Sequence, residues 1–303
     1  MRKLDLSVQF AGIEMKNPVT TASGTFSARD SGQFYDIGRL GAVVTKGVAS
    51  EPWAGNPTPR IGETYGGMLN AVGLQNPGAD AFIADELAYL KQFSTPVIAN
   101  VAGRTAEEYC LAVEKLSETD VAMLEINISC PNVKEGGIGF GTDPRMAAEI
   151  TRAVKSVSKK PILVKLTPNV TDITEIAKAV EAEGADGISL INTLLGMKID
   201  VQRKKPVLAN IMGGFSGPAI KPVAVRMVYQ VRRAVQIPIM GLGGIMTGED
   251  AAEFIMAGAD VISVGTAALV NPTAPVDILE ELEAYMEEQG FKTIADIRQA
   301  FQG

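Results

Sequence analysis

The sequence predicts an α/β fold, a (β/α)8 TIM barrel with an N-terminal hairpin and inserted loops over the C-terminal mouth. Three observations predict it. Eight short apolar runs recur along the 303 residues, each bounded by turn residues. Segments of helical periodicity lie between them, and the order strand, helix, strand, helix implies a parallel sheet. No glycine-rich dinucleotide turn follows the first run, as an open doubly wound sheet would need, whereas eight β/α units close naturally into a barrel.

Residues 4–19 read as two short alternating runs around Ala11-Gly12, a hairpin placed to plug the bottom of the barrel. The eight strands follow at 18–21, 42–45, 97–101, 122–128, 162–166, 187–191, 239–242 and 261–264. Helical segments include 79–93, 106–117, 144–156, 173–183, 218–235 and 249–257. Two connections, 47–77 and 192–217, are too long for simple βα loops, and their Gly, Pro and Asn residues suit loops that cover a ligand. No linker-like stretch divides the chain, so residues 1–303 are expected to form one domain.

Composition narrows the function. With 46% hydrophobic and 21% charged residues, the chain suits a large globular core. A net charge of −7 and a pI near 4.9 offer no basic face for a polyanion, so no nucleic-acid partner is expected. The N-terminal residues alternate in polarity and no long apolar stretch occurs, which predicts a cytoplasmic protein without a membrane anchor. Two cysteines, Cys110 and Cys130, are too few for a disulfide framework or for the thiolates of an iron–sulfur cluster, so any cluster must sit on another chain. The absence of histidine removes Ser-His-Asp triads, Cys-His dyads and imidazole zinc sites, and no other metal-ligand cluster is seen. Proton transfer falls to Cys, Lys, Asp, Glu or Tyr.

In such a barrel the site forms at the C-terminal ends of the strands. The residues there are Ser23-Gly24, Lys46, Asn100, Asn127 with Cys130, Lys165, Asn192-Thr193, Gly243-Gly244 and Gly265-Thr266. Glycines at βα corners are ordinarily turn formers. Corners in both of the last two units point further, to a phosphate held by backbone N–H groups and a helix N-terminus. Strand alternation puts Lys165 on the face of Leu163 and Thr167, and an inward lysine needs an anionic partner. A reduced flavin supplies one at its N1–C2=O edge, and Lys46 suits the other end of such a ligand or an acidic substrate. Cys110 sits in a helical run and reads as a small buried hydrophobe. Cys130 sits on a polar loop at the mouth, where a thiol of reference pKa about 8.5 is the group best able to titrate near neutrality. The carboxamides of Asn70, Asn127 and Asn192 match a planar heterocycle with alternating N–H and C=O groups.

Several of these segments resemble the dihydroorotate dehydrogenases: Asn127-Ile128-Ser129-Cys130-Pro131-Asn132, Asn70-Ala71-Val72-Gly73-Leu74, Val164-Lys165-Leu166, Ile191-Asn192-Thr193, Gly214-Phe215-Ser216-Gly217-Pro218 and the two glycine corners. The likeness covers nearly the whole chain. A cysteine base marks class I of that family, and Lys134 to Thr142 resembles class IB, whose catalytic subunit pairs with an electron-transfer subunit carrying FAD and [2Fe-2S] that reduces NAD. By that resemblance Ser23, Gly24, Thr45, Lys46, Asn100, Asn127, Lys165, Ile191, Gly217, Gly243, Gly244, Gly265 and Thr266 would contact FMN. Lys46, Asn70, Ala71, Val72, Gly73, Leu74, Asn127, Asn192 and Thr193 would hold dihydroorotate or orotate. Cys130 would take a proton from C5 of dihydroorotate while hydride passes from C6 to flavin N5, and Lys165 would face the reduced ring. The resemblance also implies a heterotetramer of two catalytic and two electron-transfer chains. Three rivals stay open: a class IA enzyme using fumarate, a dihydropyrimidine-oxidising domain, and a non-redox barrel that binds a sugar phosphate.

Overall fold

The computed structural model describes residues 4–129 and 137–303; Cys130 lies outside the described residues. Eight parallel strands form the barrel: β1 (Val19–Thr21), β2 (Val43–Val44), β3 (Val97–Val101), β4 (Met123–Asn127), β5 (Ile162–Lys165), β6 (Gly187–Leu190), β7 (Ile239–Leu242) and β8 (Val261–Val264). They pair in the order β1-β8-β7-β6-β5-β4-β3-β2. The ring closes between β1 and β2 through one parallel bridge, Thr20 to Ala42.

A side chain supplements that weak seam. Thr21 Oγ1 accepts from Val44 N at 2.9 Å and donates to Val44 O at 3.1 Å, so one hydroxyl satisfies both backbone groups that β2 turns toward β1. Thr21→Val keeps the shape and removes both bonds. It is expected to cost about 1–3 kcal/mol, the penalty for buried polar groups left without partners. The check is a lower denaturant midpoint at unchanged slope.

The strands are apolar on both faces because both are covered. Outward residues such as Ile126, Val164 and Ile188 pack under the helices in the main core. Inward residues form layers. The lowest is apolar, built from Val44, Ile98, Met123, Leu163, Met240 and Val261, and the hairpin Val8–Phe10/Ile13–Met15 drives Phe10 and Met15 into it. The hairpin is the expected plug, turned through Ala11 and Gly12, both at positive φ, which matches the twist of paired strands. One step up each strand, the inward residues become polar: Asn100, Glu125, Lys165 and Ser189, all buried.

The outer helices start where side chains cap them. Thr105, Asp143 and Asp172 accept backbone N–H groups at the starts of Ala106–Ser117, Pro144–Val157 and Ile173–Ala182, and Thr247 with Asp250 forms a capping box for Gly248–Ala257. Lys221–Arg232 completes the expected set. The segment read as one helix over 79–93 is instead broken, with a π-helical turn at Ile83–Leu87 between Ala79–Phe82 and Ala88–Leu90. The long helix Ala274–Gln289, not among the segments named from the sequence, covers the end of the barrel wall with Leu279, Leu282 and Met286.

The two long connections are more ordered than binding loops. They pair with each other in a four-stranded antiparallel sheet, Leu194–Met197, Met212–Ser216, Gly67–Asn70 and Ile61–Thr64 in spatial order. The stretch after Cys130 also departs from the expected loop, since Gly137–Thr142 is helical. Among the described residues no helix is long and apolar enough to cross a membrane.

Candidate active site

A cavity of about 260 Å³ lies at the C-terminal ends of the strands, between the barrel and the inserted sheet. Asn100, Asn127 and Lys165 form its floor from β3, β4 and β5, and Met68, Asn70, Val72 and Leu74 from the insertion form its roof. The insertions therefore do cover the site, as expected, but as a paired sheet.

Lys165 points inward, as strand alternation requires, and is 3% exposed. Its Nζ donates to Ser23 Oγ at 3.0 Å and lies 3.7 Å from Oε2 of Glu125. Glu125 is 1% exposed and fully engaged: Oε2 accepts from Asn100 Nδ2 at 2.5 Å and Oε1 from Ser189 Oγ at 2.7 Å. The anionic partner expected of a bound ring is thus already supplied in part by the chain. Sequence reading missed Glu125, although it carries the same signal as Lys165, an isolated charge at an inward position of an apolar run.

That carboxylate also orients an amide. With Nδ2 committed to Glu125, Asn100 keeps Oδ1 as a buried acceptor without a partner among the described residues. Asn100 lines the cavity, so its floor offers a fixed acceptor beside a fixed cation. Higher up, Asn192 Nδ2 donates to Ser129 Oγ at 2.8 Å and to Asn127 Oδ1 at 3.3 Å. The C-terminal end of β4 is held from behind, where Tyr109 Oη donates to the Asn127 carbonyl at 2.7 Å.

The glycine corners form a cradle that side chains would fill. Gly244 has φ +83, and a Cβ there would lie 2.8 Å from the Gly217 carbonyl oxygen and 3.0 Å from Lys221 N. Gly217, at φ +111, passes so close to Gly67 that a Cβ would meet its Cα at 2.6 Å. Only glycine fits either place. Thr266, following Gly265 at the start of Thr266–Val270, donates to Ser216 Oγ at 2.8 Å and so ties this corner to the inserted sheet.

Lys46 makes no ion pair among the described residues and lines the cavity. Burial pushes the Glu86 carboxyl above the usual glutamate range, against the pull of the Ala28 N–H and of the Lys46 ammonium. Burial likewise raises the Cys110 thiol, with Glu114 adding to it, as suits a structural cysteine packed on the core.

Of the residues singled out from the sequence, Ser23, Gly24, Lys46, Asn100, Asn127, Lys165, Ile191, Gly243, Gly244, Gly265 and Thr266 line the cavity. So do Asn70, Val72, Gly73, Leu74, Asn192 and Thr193. Three stand one layer back. Thr45 Oγ1 accepts from Asn100 N at 3.4 Å, Ala71 is fully buried, and Gly217 carries the carbonyl against Gly244. Cys130 falls outside the described residues.

A family model described as Dihydroorotate dehydrogenase matches residues 5–286. The chain belongs to the dihydroorotate dehydrogenase family. Family membership makes it an oxidoreductase. Among its relatives, one from Alkaliphilus metalliredigens is 63% identical over 299 residues, covering 98% of this chain and 99% of the relative. One from Alkaliphilus oremlandii is 60% identical over 298 residues, 98% and 99% of the two chains. One from Geotalea uraniireducens is 55% identical over 301 residues, 99% and 98%. All three bear the name dihydroorotate dehydrogenase B (NAD(+)), catalytic subunit. The family likeness and the barrel expected from the sequence agree.

Proposed function

We propose that the chain oxidises dihydroorotate to orotate in pyrimidine synthesis, with FMN in the barrel mouth, Cys130 as base, and electrons leaving through a partner subunit to NAD. The observation that carries the reading is the floor of the cavity, which presents both Asn100 Oδ1, without a partner among the described residues, and the Lys165 side chain. A flavin ring has the matching edge: an imide N–H donor flanked by carbonyls, next to the position where negative charge develops on reduction. The glycine cradle at Gly243, Gly244 and Gly265, with Thr266, suits its phosphate. When bound, FMN supplies a two-electron acceptor.

The chain does the rest. Lys165 holds positive charge against the ring, and Ser23 fixes its ammonium. Asn70, Asn127, Asn192 and Thr193, with Lys46, bind and orient the planar, anionic pyrimidine under the inserted sheet. Residues 71–74 complete that roof and help exclude water. Cys130 Sγ takes the proton from C5 of dihydroorotate. The residue before it, Ser129, is tied to both Asn127 and Asn192, which supports a role for this turn at the mouth.

Two cysteines cannot hold a cluster and the sequence has no strand–GxGxxG–helix unit for NAD, so FAD and [2Fe-2S] belong to the partner. The assembly is a cytoplasmic heterotetramer of two catalytic and two electron-transfer chains. The test is simple. The purified chain should be yellow with flavin absorbance, lose that colour with dihydroorotate under anaerobic conditions, and reduce NAD only when the partner is added. A colourless chain that takes up no FMN would remove the reading, and turnover with fumarate by the chain alone would move it to class IA.

A further inference from the structure

We infer that Glu125 is a counter-charge that holds down the reduction potential of the bound flavin, a positioning residue set behind Lys165. The inference rests on the proposed function, since it needs FMN above the floor. Three observations carry it. Glu125 is buried, 1% exposed, in the polar layer directly above the apolar plug. Both carboxylate oxygens are hydrogen-bonded, Oε2 to Asn100 and Oε1 to Ser189, so the group is held in place behind the ammonium. Its Oε2 lies 3.7 Å from Lys165 Nζ, and Lys165 lines the cavity while Glu125 stands behind it.

A lysine facing a ring that gains negative charge on reduction favours the reduced form. An unopposed lysine would hold the reduced ring too well for electrons to pass on to a carrier as reducing as NAD. A carboxylate directly behind the ammonium offsets part of its field, and in a dry interior little solvent screens either charge. Glu125 thereby divides the labour: Lys165 assists reduction, and Glu125 keeps the reduced ring able to give its electrons up.

Glu125→Gln isolates the charge. The amide keeps an acceptor for Asn100 Nδ2, and its NH2 can donate to Ser189, whose hydroxyl turns to accept. The FMN potential of the holoprotein is measured at pH 6.5 against a reference dye, in the parent, in Glu125→Gln, in Lys165→Met and in the double variant. Removing the carboxylate is expected to favour reduced FMN at least ten-fold, about 30 mV for a two-electron couple. The rise should occur with Lys165 present and also on going from Lys165→Met to the double variant, a second comparison that remains readable where Glu125→Gln alone does not fold. A merely structural Glu125 would change melting temperature or FMN occupancy and leave the potential alone. A parent chain that takes up no FMN removes the proposed function and this inference with it. A parent that takes it up, with a potential no higher in Glu125→Gln than in the parent, or no higher in the double variant than in Lys165→Met, overturns the inference alone.

Discussion

Replacing Cys130 by alanine should leave FMN bound and slow its reduction by dihydroorotate by about 10²–10⁴-fold, the usual range for a lost general base. The C5 proton is poorly acidic, and the chain has no histidine to take over. Lys46 and Lys165 are placed to hold charge, while Cys110 sits on the outer helix Ala106–Ser117 with its thiol pushed up by burial. Anaerobic rapid mixing reads the rate directly. The loss should be smaller in Cys130→Ser and should narrow toward high pH, where hydroxide from solvent competes. Reduction of the alanine variant at the parent rate would take the thiol out of the chemistry.

Lys165→Met should fail in two separable ways. Methionine fills the volume but leaves the Glu125 carboxylate buried without its cation, and breaking a buried pair from one side costs about 3–5 kcal/mol. Asn100 and Ser189 still solvate that carboxylate, so the loss belongs at the lower end of the range. Reduction by dihydroorotate should also slow by about 10²–10³-fold, because a fixed charge facing the developing anion is gone. The double variant Lys165→Met/Glu125→Gln is expected to regain most of the stability and none of that rate. Denaturant midpoints and anaerobic reduction rates, measured on the same four proteins, separate the two losses. A single variant as stable and as fast as the parent would mean that the ammonium faces neither group.

The barrel was legible because its signal is local. Eight apolar runs separated by helical periodicity survive any detail of packing, and the observed strands fall within two residues of the expected bounds. The glycine corners and the inward direction of Lys165 were legible for the same reason, being fixed by strand ends and by alternation. The inserted sheet was not. Its strands are short, Met212–Ser216 contains two adjacent glycines, and each central strand pairs with a partner from the other connection, more than 100 residues away. Nothing in either segment alone announces that pairing. Glu125 marks a different gap. Its charge in the run 122–128 was visible, but its use depends on Asn100, Lys165 and Ser189 converging on it from three other strands. Thr45 and Ala71 mark the converse: each neighbours lining residues in sequence, yet both stand just past a strand end and are fully buried.

Phe10 and Met15 sit at the closed end of the barrel, and yet they set the medium beneath the buried polar layer. With the apolar layer around them they fill the barrel beneath the paired charges of Glu125 and Lys165. A smaller side chain at position 10 would admit a wet back entrance, raise the local dielectric, and weaken every electrostatic effect above it without touching a single ligand-facing group. The first strands of the chain are therefore insulation, laid at the end of the barrel opposite the cavity.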